Sequence, residues 1–163
     1  MSKQLSELET LLGRLIVEHE KLLHQIELHH GAMKRLDLKG MEQAGHAQED
    51  TRIRIQTLET RRKLLVAQTA ASLRLPAGAT LVQLADAAGP MRFKLLALRE
   101  KLKWAINQVS SRAHIAGRVA GAVLGHLNTA VRLIAGAVEQ AGLYTKQGVP
   151  KVSTRIGVLE AIG

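Results

Sequence analysis

Met91–Ala141 reads MRFKLLALREKLKWAINQVSSRAHIAGRVAGAVLGHLNTAVRLIAGAVEQA, and an apolar residue falls at every third or fourth position of it. The series is Met91, Leu95, Leu98, Leu102, Ala105, Val109, Ala113, Ala116, Ala120, Val123, Leu127, Ala130, Ile134 and Ala137. That spacing places them on one stripe of a single long helix. At a rise of 1.5 Å per residue the helix is about 75 Å long, which no compact core around its middle can cover. Other long helices must therefore lie along it. In its second half Gly117, Gly121 and Gly125 recur every fourth position among Ala113, Ala116, Ala120 and Ala122, so a shallow groove replaces the ridge and invites a close approach.

Working outward from this helix, residues 5 to 36 hold a second heptad, with seam positions Leu5, Leu12, His19, Ile26, Met33 and Leu8, Leu15, Leu22, His29, Leu36. Ser6 with Glu9 could form a capping box, although a start nearer Ser2 is as good. Asp37 is a natural N-cap and Gly40 weakens a continuous helix, which puts a hairpin turn between them. The next helix, about 38 to 73, is the least regular. It is polar from Gln43 to Arg54, and the apolar pattern recovers at Ile53, Ile55, Leu58, Leu64, Leu65 and Leu73. Pro76 and Gly78 stop it. Thr80 and Gln83 predict a capping box opening a short helix, Leu81 to Ala87, which Gly89 and Pro90 close. After Gly142 the β-branched Val149, Val152, Thr154 and Ile156 with Gly148 and Pro150 give no strong helical signal. The expected fold is therefore all-α, an antiparallel bundle of three long helices with coiled-coil-like packing plus one short helix. Residues 1–142 form the bundle and residues 143–163 a C-terminal tail, flexible when unbound.

Composition supports this reading. The 163 residues are 46% hydrophobic and 23% charged, with one Trp, one Tyr and one Phe, so Leu, Ala, Ile and Val must do the packing. No Cys is present, which excludes disulfides and thiolate metal sites and makes a cytoplasmic address the default. The N-terminus lacks an apolar block of signal-peptide length. The most apolar window, Ile115 to Ile134, contains Arg118, His126, Asn128 and Arg132, which are costly in lipid, so no membrane insertion is expected. The formal charge of +9 is concentrated after residue 60. It reads as a solvated helical face, with nucleic acid, an acidic protein or anionic lipid as the other candidates.

Chemistry leaves little trace in this sequence. His19, His24 and His29 are five apart, which turns each about 140° from the last around a helix and converges no ligands. His19 and His29 read instead as polar seam residues that specify register. No phosphate loop, no Ser/His/Asp set and no paired carboxylates can be placed in a cleft, so the chain is expected to be no enzyme and to need no cofactor or metal. Nucleic acid binding is disfavoured, because Phe93, Trp104 and Tyr144 are scattered and no recognition motif is present.

The order of the segments carries more than any one of them. RLDLKGMEQ at 35–43, TLETRRKLLVAQTAASLRLPAGATLVQLADAAG at 57–89, and a long final helix running into LYTKQG at 143–148 together resemble the FlgN family of flagellar type III export chaperones. Members commonly show an Asp-led turn, a Leu-Glu-x-x-Arg-x-x-Leu-Leu run, a short Thr-Leu-led helix, a long last helix and a Tyr-x-x-x-Gly in the tail. Here those fall on Asp37 and Met41; on Leu58, Glu59, Arg62, Leu64 and Leu65, with the Arg shifted by its duplicate Arg61; on Thr80, Leu81 and Leu84; and on Tyr144 and Gly148. The chain departs from the family in having Ser110-Ser111-Arg112-Ala113-His114 where one or two Asn usually stand, and in being more basic.

The resemblance implies a cytoplasmic chaperone that holds the C-terminal segments of the hook-filament junction proteins FlgK and FlgL and presents them to the export gate. Its physical logic agrees with the groove, since an exposed apolar stripe on a client aggregates unless covered. The client site is accordingly expected on the second half of the long helix and the tail: Gly117, Gly121, Val123, Leu124, Gly125, Leu127, Val131, Ile134 and Tyr144. The competing reading is that the first two helices of the chain already fill this groove. The alternative function is a generic basic coiled-coil adaptor associated with nucleic acid, and homodimerisation is left open.

Overall fold

The computed structural model describes residues 2–141, as four α-helices with a short 3-10 turn. Helix α1 is Ser2–Arg35, α2 is Leu38–Ser72, α3 is Leu81–Ala87 and α4 is Arg92–Ala141. The expected all-α fold is what forms, with three long helices packed on one another and one short helix. No strand occurs among the described residues. By packing, the chain divides into two units, Met1–Ala120 and Gly121–Gly163, with α4 contributing residues to both. The tail expected after residue 142, Tyr144 included, lies outside the described residues.

Within the first unit α1 and α2 are antiparallel. Arg54 donates to Glu18 across the pair at 3.0 Å, and Arg61 donates to Glu7 further along it. Helix α4 runs parallel to α1, because Lys94 pairs with Glu9 at 2.7 Å and Arg112 with Glu27 at 3.7 Å, the same sequence offset in both cases. That offset sets the end of α1, Arg35, level with Ala120. Most of the α1 seam is buried as the heptad requires: Leu5, Leu8, Leu12, Leu15, Leu22, Ile26 and Met33. The dense part of the core lies where the first half of α1 meets the second half of α2. There Leu8, Leu12 and Leu15 join Leu58 and Leu65, and Leu84 of α3 with Leu95 and Leu102 of α4 close the cluster.

Two seam expectations need correction. Leu36 is 60% exposed and lies beyond the helix with φ +55°. It terminates α1 in a Schellman turn, in which Leu36 N–H donates to the Met33 carbonyl at 3.1 Å and Asp37 N–H to that of Ala32 at 3.0 Å. Arg74, also at φ +55°, ends α2 in the same way, with Arg74 bonded to Ala71 and Leu75 to Ala70. His19 is buried, but its ring Nδ1–H donates to the carbonyl of Leu15 in its own helix at 2.8 Å. A bond satisfied four residues back specifies no register. His29 does cross: Gln48 Nε2 donates to His29 Nδ1 at 3.0 Å and joins α2 to α1.

The turn chemistry follows the residues. Asp37 caps α2, its carboxylate accepting from Gly40 N–H at 2.9 Å. A Cβ on Gly40 would lie 2.4 Å from an Asp37 carboxylate oxygen, so glycine here makes room for the cap rather than merely weakening the helix. Thr80 and Gln83 form the full capping box on α3, with Thr80 N–H donating to Gln83 Oε1 at 2.8 Å and Gln83 N–H donating to the Thr80 hydroxyl at 3.3 Å.

The Asp37 and Gly40 geometry predicts non-additivity. Asp37→Ala should cost about 1 kcal/mol as a lost cap. Gly40→Ala alone should be near neutral, because its helix-propensity gain of about 1 kcal/mol is offset by displacement of the cap. In the Asp37→Ala background the same Gly40→Ala change should stabilise, and urea unfolding of the four proteins reads the difference. Glu18 yields a pH prediction. The hydrogen bond from the Lys21 ammonium is the largest influence and holds its carboxyl below the usual carboxylate range; burial opposes it, and the Arg54 guanidinium adds to the lowering. A depressed carboxylate contributes stability that is present above its unfolded pKa and lost as pH falls through the folded one. Glu18→Gln should therefore be less stable than the parent at neutral pH, and the gap should narrow and close as unfolding is measured below about pH 4.

Candidate functional site

Among the described residues no group of three or more His, Cys, Asp and Glu side chains is placed to hold a metal ion. Much of the basic charge on α4 is engaged in ion pairs, as with Arg92 and Asp86 at 2.7 Å, Lys94 and Glu9, and Arg112 and Glu27. What distinguishes this helix is how its burial changes along its length. Leu95 is fully buried, and Leu102 and Ala105 nearly so, whereas Val109 is half-buried and Ala113 exposed.

The small residues in the middle of α4 do not draw helices together. Ala113, Ala116, Gly117 and Ala120 instead roof a cavity of about 210 Å³ whose floor is Ile26, His29 and Met33 of α1 with Gln48 and Arg52 of α2. A Cβ built on Gly117 meets no atom within 4 Å. The same is true at Gly121 and Gly125 in the second unit.

Taken by itself, the helical part of the second unit is strongly apolar on one side. Leu124, Leu127, Val131 and Ile134 are all large and all exposed there, the last at 64%, while Val123 is half-buried. Exposed apolar surface on this scale marks an interaction site more often than it marks nothing. At about 100° per residue, Val123, Val131 and Ile134 fall within about 40° of Leu127, and Leu124 within about 60°.

The sequence-predicted site therefore separates into two parts. Its apolar members share one face. Gly117, Gly121 and Gly125 do not lie on it, because a row of residues spaced by four drifts round a helix of 3.6 residues per turn; they stand about 80°, 120° and 160° from Leu127. Gly121 and Gly125 share their side with Arg118 and Arg132. Leu133, not among the expected site residues, is exposed too but stands about 120° from Leu127, on the flank opposite Gly121 and outside the apolar face. Its signal was present in the Leu-Ile pair at 133 and 134, but a heptad reading keeps only one member of such a pair.

The helix containing this face is also, by length and composition, apolar enough to cross a membrane, with a window of mean hydropathy 1.3 and no buried share. Arg118, His126, Asn128 and Arg132 interrupt the apolar run.

Comparison with known proteins bears on the whole chain. The family model described as FlgN protein matches residues 1–151. No curated protein and no solved structure matches the chain. The family match takes in the Asp37 cap, the boxed short helix and all of α4, the elements on which the resemblance rested. A chain so matched over nearly its whole length, helical throughout its described part and carrying an exposed apolar face, belongs to the FlgN family of flagellar export chaperones.

Proposed function

We propose that the protein acts in the cytoplasm, holding the C-terminal helical segments of flagellar hook-associated proteins of the FlgK and FlgL kind and delivering them to the type III export gate. The observation that carries this reading is the exposed face formed by Val123, Leu127, Val131 and Ile134. An amphipathic client helix laid on that face would remove its own apolar stripe from water along with the chaperone's. Fully covering a Val, Leu or Ile side chain is worth about 1.5–3 kcal/mol, so four of them supply roughly 6–12 kcal/mol before association costs of about 4–15 kcal/mol are subtracted. The balance is a modest affinity, suited to a segment that must be held and then surrendered without nucleotide hydrolysis. Tyr144, which follows the helix, is placed in sequence to close over the client or to meet the gate.

The two parts of the site predict different outcomes. Leu127→Asp and Val131→Asp should each weaken binding of the junction protein's C-terminal segment at least about tenfold, the equivalent of 1.4 kcal/mol, with far-UV circular dichroism and melting temperature nearly unchanged because both side chains are exposed. Gly121→Ala should raise helix stability by about 1 kcal/mol and leave binding no weaker, up to about fivefold tighter, because helical order is then gained before association. Isothermal titration with that segment reads both. If Gly121→Leu abolished binding and Leu127→Asp did not, the client would lie along the glycine row instead.

A further inference from the structure

Helix α2 carries two heptads, and the core uses only one. Its inward positions include Ala44, Gln48, Thr51, Leu58, Leu65 and Thr69, all buried. A second series at the same alternation of three and four residues runs Ile53, Thr57, Thr60, Leu64, Ala67 and Ala71, and every member is exposed. At about 100° per residue the two series lie on opposite sides of the helix. The overlay of two opposed heptads is why α2 looks irregular in sequence.

The outward series has the properties of an unoccupied coiled-coil seam. Ile53 and Leu64 are 54% and 60% exposed, and a groove lined by both runs over Thr57 and Thr60 between them. The Thr57 hydroxyl donates to the Ile53 carbonyl and the Thr60 hydroxyl to that of Gln56, each at 3.0 Å. Both hydroxyls keep these bonds inside their own helix, so a partner can dehydrate the seam without orphaning a donor. Gln56 and Lys63 border one side and Arg61 and Gln68 the other; Arg61 pairs with Glu7 of α1, and Lys63 makes no ion pair among the described residues. The one carboxylate between Ile53 and Ser72, Glu59, is turned away and accepts from Arg62 at 2.8 Å.

We propose that this seam docks an amphipathic helix of another protein, one whose edges carry carboxylates. A second copy of the chain fits badly. Antiparallel pairing centred on Thr60 and Leu64 brings Lys63 against Arg61, which Glu7 of its own chain already engages, and parallel pairing brings Lys63 against itself, while the one carboxylate between Ile53 and Ser72, Glu59, is held by Arg62. The surface is separate from the α4 face and does not depend on what that face binds.

Two synthetic helical peptides with one Leu/Ile heptad seam, differing only in all-Glu or all-Lys edges, test this on the full chain by fluorescence anisotropy. The Glu-edged peptide should bind at least about tenfold more tightly, with the preference shrinking as salt is raised from about 50 to 300 mM. Leu64→Asp should abolish binding with the melting curve unchanged, and Arg61→Glu with Lys63→Glu should invert the preference. Equal affinity for the two peptides, no binding of either, or loss on Leu127→Asp but not on Leu64→Asp would overturn the proposal. So would a dimer in light scattering that Leu64→Asp dissolves, since a second copy would then be the occupant.

Discussion

Everything in the first unit hangs on the leucine cluster at one end of the α1 and α2 pair. Leu8, Leu12 and Leu15 meet Leu58 and Leu65 there, and both α3, through Leu84, and α4, through Leu95 and Leu102, dock on the same group. Replacing one such leucine by Ala typically costs 2–5 kcal/mol, a large part of what a domain of this size has in total. Away from the cluster the contacts become polar. Gln48 bonded to His29 and Arg54 to Glu18 cross between the helices and hold register more than they supply driving force. The unit is thus anchored at one end and guided at the other.

This division explains how legible the fold was. Helix boundaries could be read nearly to the residue because each is written in local chemistry: Asp37 as N-cap, the Thr80 and Gln83 box, Pro90 after Gly89. The heptad of α1 was equally plain, since a buried seam permits little but leucine and its like. Leu36 misled because it keeps the heptad spacing after the helix has ended, and nothing in a hydrophobic pattern announces a left-handed residue that is not glycine. His19 misled because the sequence does not show whether a buried ring bonds across to a neighbour or back into its own turn.

The apolar face of the second half of α4 was legible in the sequence, and the place of the glycines around the helix was not. An apolar run after Gly117 pointed to the second half of α4, and Leu124, Leu127, Val131 and Ile134 are exposed there. The glycines were taken into the same site because they sit among the same residues. A row spaced by four turns about 40° at each step and a stripe spaced by seven turns about 20° the other way, so over seven residues the two part by about 90°. In α2 the error ran the other way. Ile53 and Leu64 looked like the recovery of a single core pattern, whereas they belong to the second of two faces.

The glycines of α4 have a thermodynamic consequence of their own. An isolated helix of fifteen or twenty residues is marginal in water, and each interior glycine removes about 1 kcal/mol relative to alanine. Residues 121–137 include three, at Gly121, Gly125 and Gly136, and nothing approaches within 4 Å of where their side chains would be. Helical order in this segment is therefore weakly self-supporting, and part of the free energy of any association on its apolar face goes into ordering backbone. Coupled ordering lowers affinity without narrowing recognition, and it lets a complex come apart by fraying from one end, residue by residue, instead of in a single concerted step.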